Sequence, residues 1–255
     1  MIQPSAEWVL ENRHIGRRVL VFDSVTSSNE LAASLPDAEG IVVLVREQTA
    51  GRGQYGRSWH SPNGAGVWLS AVVSPPAELR RPVILTAWAA VAVAETVRTI
   101  TKTTPTIKWP NDVMVNEKKV AGVLIELGQR AIIGIGLNVN QSISQFADAE
   151  LPAAASLAIL TGQSWECEQV ARELIKNLDR EYVGLLAGNS LDLQDRWRQL
   201  LGLIDHPVHI QLHSGRAEHG RCVQMDFESV AIAHADGQIQ SYFPEELRNM
   251  SARSE

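Results

Sequence analysis

Cysteine is scarce in this sequence, and its scarcity limits the class of protein. Cys167 and Cys222 are the only cysteines. They are isolated and lack motif spacing, which argues against a disulfide framework and favours a reducing, cytoplasmic location. The N-terminal stretch contains no long apolar run and is interrupted by charges, so it predicts neither a signal peptide nor a membrane span. The sequence also contains no internal repeat and no low-complexity tract.

Positive charge is in short supply as well. The chain has 23 Lys and Arg against 29 Asp and Glu, a formal net charge of −6. This balance argues against nucleic acid as the main partner, although a local basic site remains compatible with it. Hydrophobic residues make up 45% and charged residues 20%, which are ordinary globular values. At 255 residues, the chain is expected to form one sizeable α/β core with a small appendage.

Apolar patterning predicts a mixed α/β unit followed by a β-rich tail. Strands are expected at 18–23, 41–48, 67–73 and 131–140, and 106–127 reads as a strand, a turn and a hairpin joined near 116–118. Helices are expected after a cap at Ser27 or Ser28 and at 82–100, 166–186 and 191–200. After Gly202, short alternating runs predict a small all-β unit of four or five strands.

The stretch "GRGQYGRSW" (51–59) almost spells a phosphate-binding P-loop. That motif requires a Lys and a following helix whose N-terminal amides hold the phosphates. Here Arg57 replaces the Lys, and a Pro and two Gly follow where the helix should begin, so the P-loop interpretation is rejected. Three glycines beside two arginines instead suit backbone that closes over an anionic ligand.

Other chemistry-bearing residues give weaker signals. Lys108 and Lys119 adjoin apolar strands and are expected to point inward beside Asn111 and Asp112, where phosphate charge could develop, whereas Lys118 is interpreted as a solvated charge. "GIGLNVN" (134–140) lacks the third Gly and the helix of a dinucleotide fingerprint.

Two further kinds of site are set aside. His209 and His213 would lie about 13 Å apart on a strand, too far to share one zinc ion. No Ser lies in a nucleophile elbow and neither Cys lies in a recognisable catalytic context, so the chemistry is expected to need no enzyme nucleophile.

Four motifs together resemble biotin–protein ligases, in order and spacing, over nearly the whole chain. They are "TSSNELA", "QTAGRGQYGRSW", "KWPNDV…KKVAGVL" and "GIGLNVN". The resemblance implies an α/β (α+β) fold, with a mixed-sheet catalytic domain over 1–202 and a small SH3-like β-barrel over 203–255. Two departures stand out: the fourth loop position, usually Arg in bacterial members, is Gln54, and only about twenty residues precede the first predicted strand, too few for an independent DNA-binding domain.

Carried over residue by residue, the resemblance implies two groups of ligand-binding residues. The biotin-binding group would be Ser27, Ser28, Asn29, Gln48, Gly51, Arg52, Gly53, Gln54, Lys119 and Gly122. The ATP-binding group would be Arg57, Trp59, Lys108, Asn111, Asp112 and Asn138, with Trp59 against adenine. Arg52 and Lys119 would both contact the valerate carboxylate, and the catalytic residues would be Lys119, Arg52 and Asp112. Mg²⁺ would enter with ATP, with no dedicated metal site on the protein.

The function implied by this resemblance is two-step. ATP would activate biotin to biotinyl-5′-adenylate, and biotin would pass to a lysine of a biotin carboxyl-carrier domain, with no nucleic-acid or membrane partner. The sequence leaves open whether two chains form a homodimer through an edge strand. Two alternatives also stay open: a lipoate–protein ligase, and a biotin-sensing regulator without catalysis.

Overall fold

The computed structural model describes residues 2–36 and 38–252. Within these residues the chain forms thirteen strands: β1 (Ala6–Val9), β2 (Arg18–Val25), β3 (Val42–Gln48), β4 (Gly66–Val73), β5 (Thr106–Lys108), β6 (Asp112–Val115), β7 (Lys118–Leu127), β8 (Ala131–Asn138), β9 (Pro207–Leu212), β10 (Ala217–Met225), β11 (Val230–Ala233), β12 (Ile239–Tyr242) and β13 (Leu247–Ala252). The same residues form six α-helices: α1 (Ser28–Ser34), α2 (Pro82–Thr101), α3 (Ile143–Asp148), α4 (Leu157–Thr161), α5 (Cys167–Leu186) and α6 (Ser190–Leu201).

Strands β1 to β8 form one mixed sheet in the order β1-β2-β3-β4-β8-β7-β6-β5. Only β2 and β3 run parallel, because α1 connects them, whereas the other neighbouring strands are antiparallel. Successive side chains alternate between the two faces. On one face Val67, Leu69 and Ala71 pack towards α2 and α5; on the other, Trp68 and Val72 pack towards α1. The predicted mixed α/β architecture is confirmed.

Helix α2 is the core helix of the larger unit. It begins with Pro82 at its first helical position, as expected, and Lys102 caps its end in the left-handed conformation. By length and composition it is apolar enough to cross a membrane, but 78% of its most apolar window is buried inside the protein. Small Ala side chains let it approach the sheet, and the Nε1 of Trp88 donates to the carbonyl of Leu178 on α5 at 3.0 Å.

Three elements were absent from the sequence prediction. Strand β1 lies ahead of the expected first strand, and its residues 6–9 pair with 18–21 of β2. Helices α3 and α4 are short and follow β8. Ser142 and Gln145 form a reciprocal capping box at the start of α3, a pattern that could have revealed it. The hairpin turn between β6 and β7 is confirmed, with Asn116 and Glu117 both at positive φ.

Strands β9 to β13 form a separate antiparallel sheet in the order β12-β11-β10-β9-β13. This confirms the small all-β unit of five strands, although the pairing among the described residues does not close into a ring. The unit packs against the larger one through a row of rings, in which Trp197 lies 5.7 Å from Trp109 and 5.5 Å from Phe227. The Nε1 of Trp109 also donates to the carbonyl of Leu247 at 3.2 Å. The two sheets therefore share one hydrophobic core.

A buried carboxylate attaches the N-terminal segment to the core. Asp179 on α5 accepts backbone N–H groups from Arg13, His14 and Ile15 at 2.8, 2.7 and 2.7 Å. Asp179 is only 8% exposed to solvent. Three otherwise unpaired donors are thus satisfied by one charged acceptor.

We expect Asp179→Ala to lower the free energy of unfolding by about 2–4 kcal/mol, because one buried and two part-buried N–H groups lose their partner. Urea denaturation followed by circular dichroism measures the change. The matched control is Asp148→Ala, which removes an exposed carboxylate at the end of α3. A loss below about 1 kcal/mol in Asp179→Ala, equal to that of the control, would contradict the anchoring role.

Candidate active site

A cavity of about 590 Å³ lies on the α1 face of the large sheet. Its walls are the Gly-rich loop 52–60, strands β7 and β8, the turn 108–112, the segment 146–154 and the near edge of the C-terminal sheet. Helix α1 is only seven residues long; it packs against β3, β4 and β8 near Gly134, and the part of β7 and β8 beyond Gly134 faces the cavity. The volume falls within the range of small-molecule sites.

Glycine forms the floor of the cavity. Gly134 and Gly136 lie two residues apart on β8 and therefore face the same way, and Gly122 pairs with Gly136 from β7. A Cβ at Gly134 would meet the Asn29 amide at 2.4 Å, and one at Gly136 would meet the Trp59 indole at 2.3 Å. The glycines of "GIGLNVN" thus leave room beside the sheet for Asn29 and Trp59. This steric role explains the motif, which does not match a dinucleotide fingerprint.

One end of the cavity is neutral and rich in hydrogen-bonding groups. The Oδ1 of Asn29 accepts from the buried hydroxyl of Ser70 at 2.5 Å, and Ser70 also lies 2.8 Å from the hydroxyl of Ser28. The Oε1 of Gln48 accepts from the backbone N–H and the hydroxyl of Ser28, and its Nε2 donates to Ser61. These contacts hold the polar side chains in one arrangement before any ligand arrives.

Helix α1 presents two of these groups through its first turn. Ser27 is the residue that caps the helix, but its side chain makes no capping hydrogen bond and instead lines the cavity. Ser28 and Asn29 follow in the first turn and are both about 4% exposed. The predicted cap is confirmed in position, while the hydroxyl of Ser27 stays available to a ligand.

The opposite end of the cavity carries charge. The Nζ of Lys119 lies 2.6 Å from Asp112 Oδ1 and 5.0 Å from the centre of the Trp59 ring. An irregularity in the β6–β7 pairing lets Lys119 share a face with Gly122, because an extra β7 residue shifts the alternation of side chains. Lys108 lines the same end but is exposed rather than inward-pointing.

Two asparagines at this end are already engaged with the backbone. The Nδ2 of Asn111 donates to the carbonyl of Val123 at 2.6 Å, and that of Asn138 donates to the carbonyl of Ala155 at 3.1 Å. Gln141 donates to the Oδ1 of Asn138 at 2.9 Å. Both amides therefore shape the wall as well as line the cavity.

Arg52 and Lys119 pair with different carboxylates. The guanidinium of Arg52 lies beside Asn29 at the neutral end, where Glu30 and Glu126, each 3.2 Å away, offset its charge. The Nζ of Lys119 instead pairs with Asp112. The expected joint contact of Arg52 and Lys119 with one carboxylate stays a prediction, and both residues line the cavity.

The remaining loop residues lie over the cavity. Gly53, Gln54 and Arg57 line it, and no side-chain hydrogen bond or ion pair of Gln54 or Arg57 is formed within residues 2–36 and 38–252. Gly51 does not line the cavity; its carbonyl accepts from the N–H of Trp59 at 2.8 Å and closes the base of the loop. A Cβ at Gly51 would meet the carbonyl of Trp59 at 2.5 Å, so glycine is required there.

The loop tip rests on the C-terminal sheet. Tyr55 adopts φ +58°, and the guanidinium of Arg248 on β13 lies 5.0 Å from the centre of its ring. The Tyr55 hydroxyl is 3.5 Å from the carbonyl of Arg248, and the ring of His213 is 6.0 Å away. The loop is thus held at its base by the large sheet and at its tip by the small one.

Several residues that line or support the cavity were missed in the sequence. The segment Phe146, Leu151, Ala153 and Ala154 forms one wall, and it is attached to Lys119 by backbone hydrogen bonds of 2.8 and 2.9 Å. The others are Met114, Gln211, Arg248 and Asn249 in the walls, and Ser61, Ser70 and Glu126 behind them. In the sequence, only the capping box of α3 indicates that an element begins near Phe146. The other residues reach the cavity through tertiary packing, which leaves no local sequence pattern.

Charge in the cavity is opposite in sign to that of the protein. Among the described residues lining it, the cations are Arg52, Arg57, Lys108, Lys119 and Arg248, and Asp112 is the only carboxylate. The chain as a whole carries −6. A cationic cleft in an acidic protein concentrates and orients an anionic ligand.

Thiol and metal chemistry find no support around the cavity. Burial raises the pKa of the Cys222 thiol to about 11, and burial also raises that of Cys167. Neither thiol lines the cavity. In the described part of the chain, no three His, Cys, Asp or Glu side chains form a metal-binding group, and His209 stacks on His219 at 4.7 Å.

Comparisons with known proteins agree on one family. Residues 21–140 match the Biotin/lipoate A/B protein ligase family. The bifunctional ligase/repressor BirA of Bacillus subtilis is 28% identical over 247 residues, covering 93% of this chain and 76% of that protein. The biotin–[acetyl-CoA-carboxylase] ligase of Mycobacterium tuberculosis is 33% identical over 193 residues, covering 72% and 70%. The biotin protein ligase of Aquifex aeolicus, solved with biotin and ATP, superposes with a TM-score of 0.81 at 26% identity, covering 92% and 99%.

The contact between Tyr55 and Arg248 makes loop opening testable. We expect Tyr55→Ala to raise the rate of tryptic cleavage after Arg57 by about two- to fivefold, because an exposed cation–π contact contributes about 0.5–1 kcal/mol. Arg248→Ala should have the same effect, and the double variant no more than either. Tyr55→Phe is the control because it keeps the ring. Unchanged cleavage in Tyr55→Ala would contradict the contact.

Proposed function

We propose that this chain, which belongs to the biotin/lipoate A/B protein ligase family, activates biotin with ATP to biotinyl-5′-adenylate and transfers it to a lysine of an acceptor protein. The single observation that carries the proposal is the polarity of the cavity. A neutral hydrogen-bonding end and a cationic end lie on one glycine floor. Biotin has the same polarity, with a neutral ureido ring at one end and a carboxylate at the other.

At the neutral end, Ser27, Ser28, Asn29 and Gln48 bind the ureido ring. Hydroxyl and amide groups can both donate to its carbonyl and accept from its N–H groups. Gly122 and the loop backbone from Arg52 to Gln54 enclose the thiophane ring and the valerate chain, and Gly51 closes the base of that loop. These assignments follow the motif matches and are supported by the position of the side chains along one wall.

At the cationic end, Lys119 binds the valerate carboxylate of biotin. When that carboxylate attacks the α-phosphorus of ATP, Lys119 stabilises the charge that develops. Arg57 and Lys108 hold the triphosphate, Asn111 and Asn138 border it, and Trp59 packs against adenine. Pyrophosphate leaves as biotinyl-5′-adenylate forms. Fixed cations in a sheltered cleft stabilise charge that appears in the transition state.

Asp112 orients the ammonium of Lys119, which lies 2.6 Å from it. As the one carboxylate among the described lining residues, Asp112 is also the side chain suited to a magnesium ion that arrives with ATP. Such an ion takes most of its oxygen ligands from phosphates and water and neutralises phosphate charge. One carboxylate is consistent with that arrangement.

In the second step, the amine of an acceptor lysine attacks the carbonyl of the mixed anhydride. The new amide bond forms as the bond to the phosphate oxygen breaks, and AMP leaves. The acceptor is a biotin carboxyl-carrier domain, as the name of the Mycobacterium tuberculosis relative suggests for that protein. The net charge of −6 is the reason for not proposing nucleic acid as a partner.

Lipoate is the alternative substrate within the family, and the neutral end of the cavity favours biotin over it. The dithiolane ring of lipoate has no hydrogen-bonding groups, so it would leave the hydroxyl of Ser27 and the remaining N–H of Asn29 without a partner. Exchange of labelled pyrophosphate into ATP tests the proposal: biotin should stimulate exchange and lipoate should not. The reverse result would assign the chain to lipoate.

We expect Lys119→Ala to slow adenylate formation about ten- to a hundredfold, since a charge-assisted hydrogen bond contributes about 1.5–3 kcal/mol. ATP affinity should fall less, because the bond strengthens mainly in the transition state. Single-turnover exchange measures the first quantity and equilibrium binding the second. Lys176→Ala, which removes an exposed lysine on α5, is the control. Unchanged single-turnover kinetics would remove Lys119 from the reaction.

A further inference from the structure

Glu126 occupies a position behind the neutral end of the cavity. It lies on β7, where its Oε2 accepts from the Nδ2 of Asn29 at 2.7 Å and its two oxygens lie 3.2 and 3.3 Å from the Nη2 of Arg52. It does not line the cavity, so it cannot act on a ligand directly. Its contacts lead to two residues that do.

The carboxylate determines which way the Asn29 amide points. An ionised carboxylate only accepts hydrogen bonds, so the NH₂ group of Asn29 must face Glu126 and the carbonyl must face Ser70. Ser70 alone would not decide this, since a hydroxyl can donate or accept. The amide is 4% exposed and lies on Gly134, which leaves it no room to move away. One N–H and one oxygen lone pair of Asn29 then remain for a ligand.

The same carboxylate holds the base of the loop. Arg52 lies between Glu126 and Glu30, with its Nη1 3.2 Å from Glu30 Oε1. Two carboxylates facing one site repel each other unless a cation separates them, so the three groups depend on one another. Arg52 thereby attaches the base of the Gly-rich loop to α1 through Glu30 and to β7 through Glu126, beside the neutral end of the cavity.

We infer that Glu126 is a positioning residue for biotin: it orients the Asn29 amide and fixes Arg52 at the base of the loop. The inference rests on the proposed function. The side chain contributes little to the fold itself, because it is 38% exposed and the β7–β8 pairing at this position is made by the backbone. Its effect should fall more on the ligand that Asn29 contacts than on ATP, because its contacts lead to Asn29 and Arg52 and not to the pair of Lys119 and Asp112.

The test compares Glu126→Ala, Glu126→Gln and wild type. Isothermal calorimetry gives the Kd for biotin, and pyrophosphate exchange gives separate KM values for biotin and ATP. We expect Glu126→Ala to raise the Kd and KM for biotin about five- to twentyfold and to change the KM for ATP less than twofold. Glu126→Gln keeps an acceptor oxygen for Asn29 and should restore biotin binding to within about threefold of wild type. Thermal unfolding of both variants should match wild type.

The control is Glu78→Ala, which removes an exposed carboxylate that forms no ion pair within residues 2–36 and 38–252. It should behave as wild type. Wild-type biotin affinity in Glu126→Ala, equal losses for biotin and ATP, or no rescue by Glu126→Gln would each overturn the inference while leaving the proposed function intact. A wild-type protein that neither binds biotin nor exchanges pyrophosphate would overturn both.

Discussion

Steric room beside one face of the large sheet is the constraint on which the site depends. Gly122, Gly134 and Gly136 carry no side chain where β7 and β8 face the cavity, and Asn29 and Trp59 lie in the space that Cβ atoms would fill. The opposite face of the same strands is filled by Ile133, Ile135 and Leu137, which pack towards the core. A strand alternates between its two faces, so it can serve a packed core on one side and an open floor on the other.

The second feature is the separation of hydrogen-bonding and charged groups along that floor. The neutral end is preorganised by a chain of contacts from Glu126 through Asn29, Ser70 and Ser28 to Gln48. The cations at the other end lie in a protein of net negative charge, where they attract an anion that the rest of the surface repels. A ligand with one neutral and one anionic end is thereby oriented as it binds, before any chemistry occurs.

The small C-terminal sheet is part of this arrangement through its contacts. Its core is continuous with that of the larger unit through Trp109, Trp197 and Phe227. Because the sheet is held in place, Arg248 reaches both the cavity wall and the tip of the Gly-rich loop. The contact that holds the tip of the loop therefore joins residues nearly two hundred positions apart in the chain, Tyr55 and Arg248.

The sequence by itself determined the mixed α/β class, the long helices α2 and α5, the β6–β7 turn and the β-rich tail, because each depends on local periodicity, capping or turn residues. Its motifs also located most of the residues around the cavity. Tertiary structure alone decided that Lys119 shares a face with Gly122, since an irregular pairing shifts the alternation of β7. It alone decided that Arg52 pairs with Glu30 and Glu126, and that Arg248 meets Tyr55. These contacts join residues far apart in the chain, and only the packing of strands, helix and loop brings them within reach.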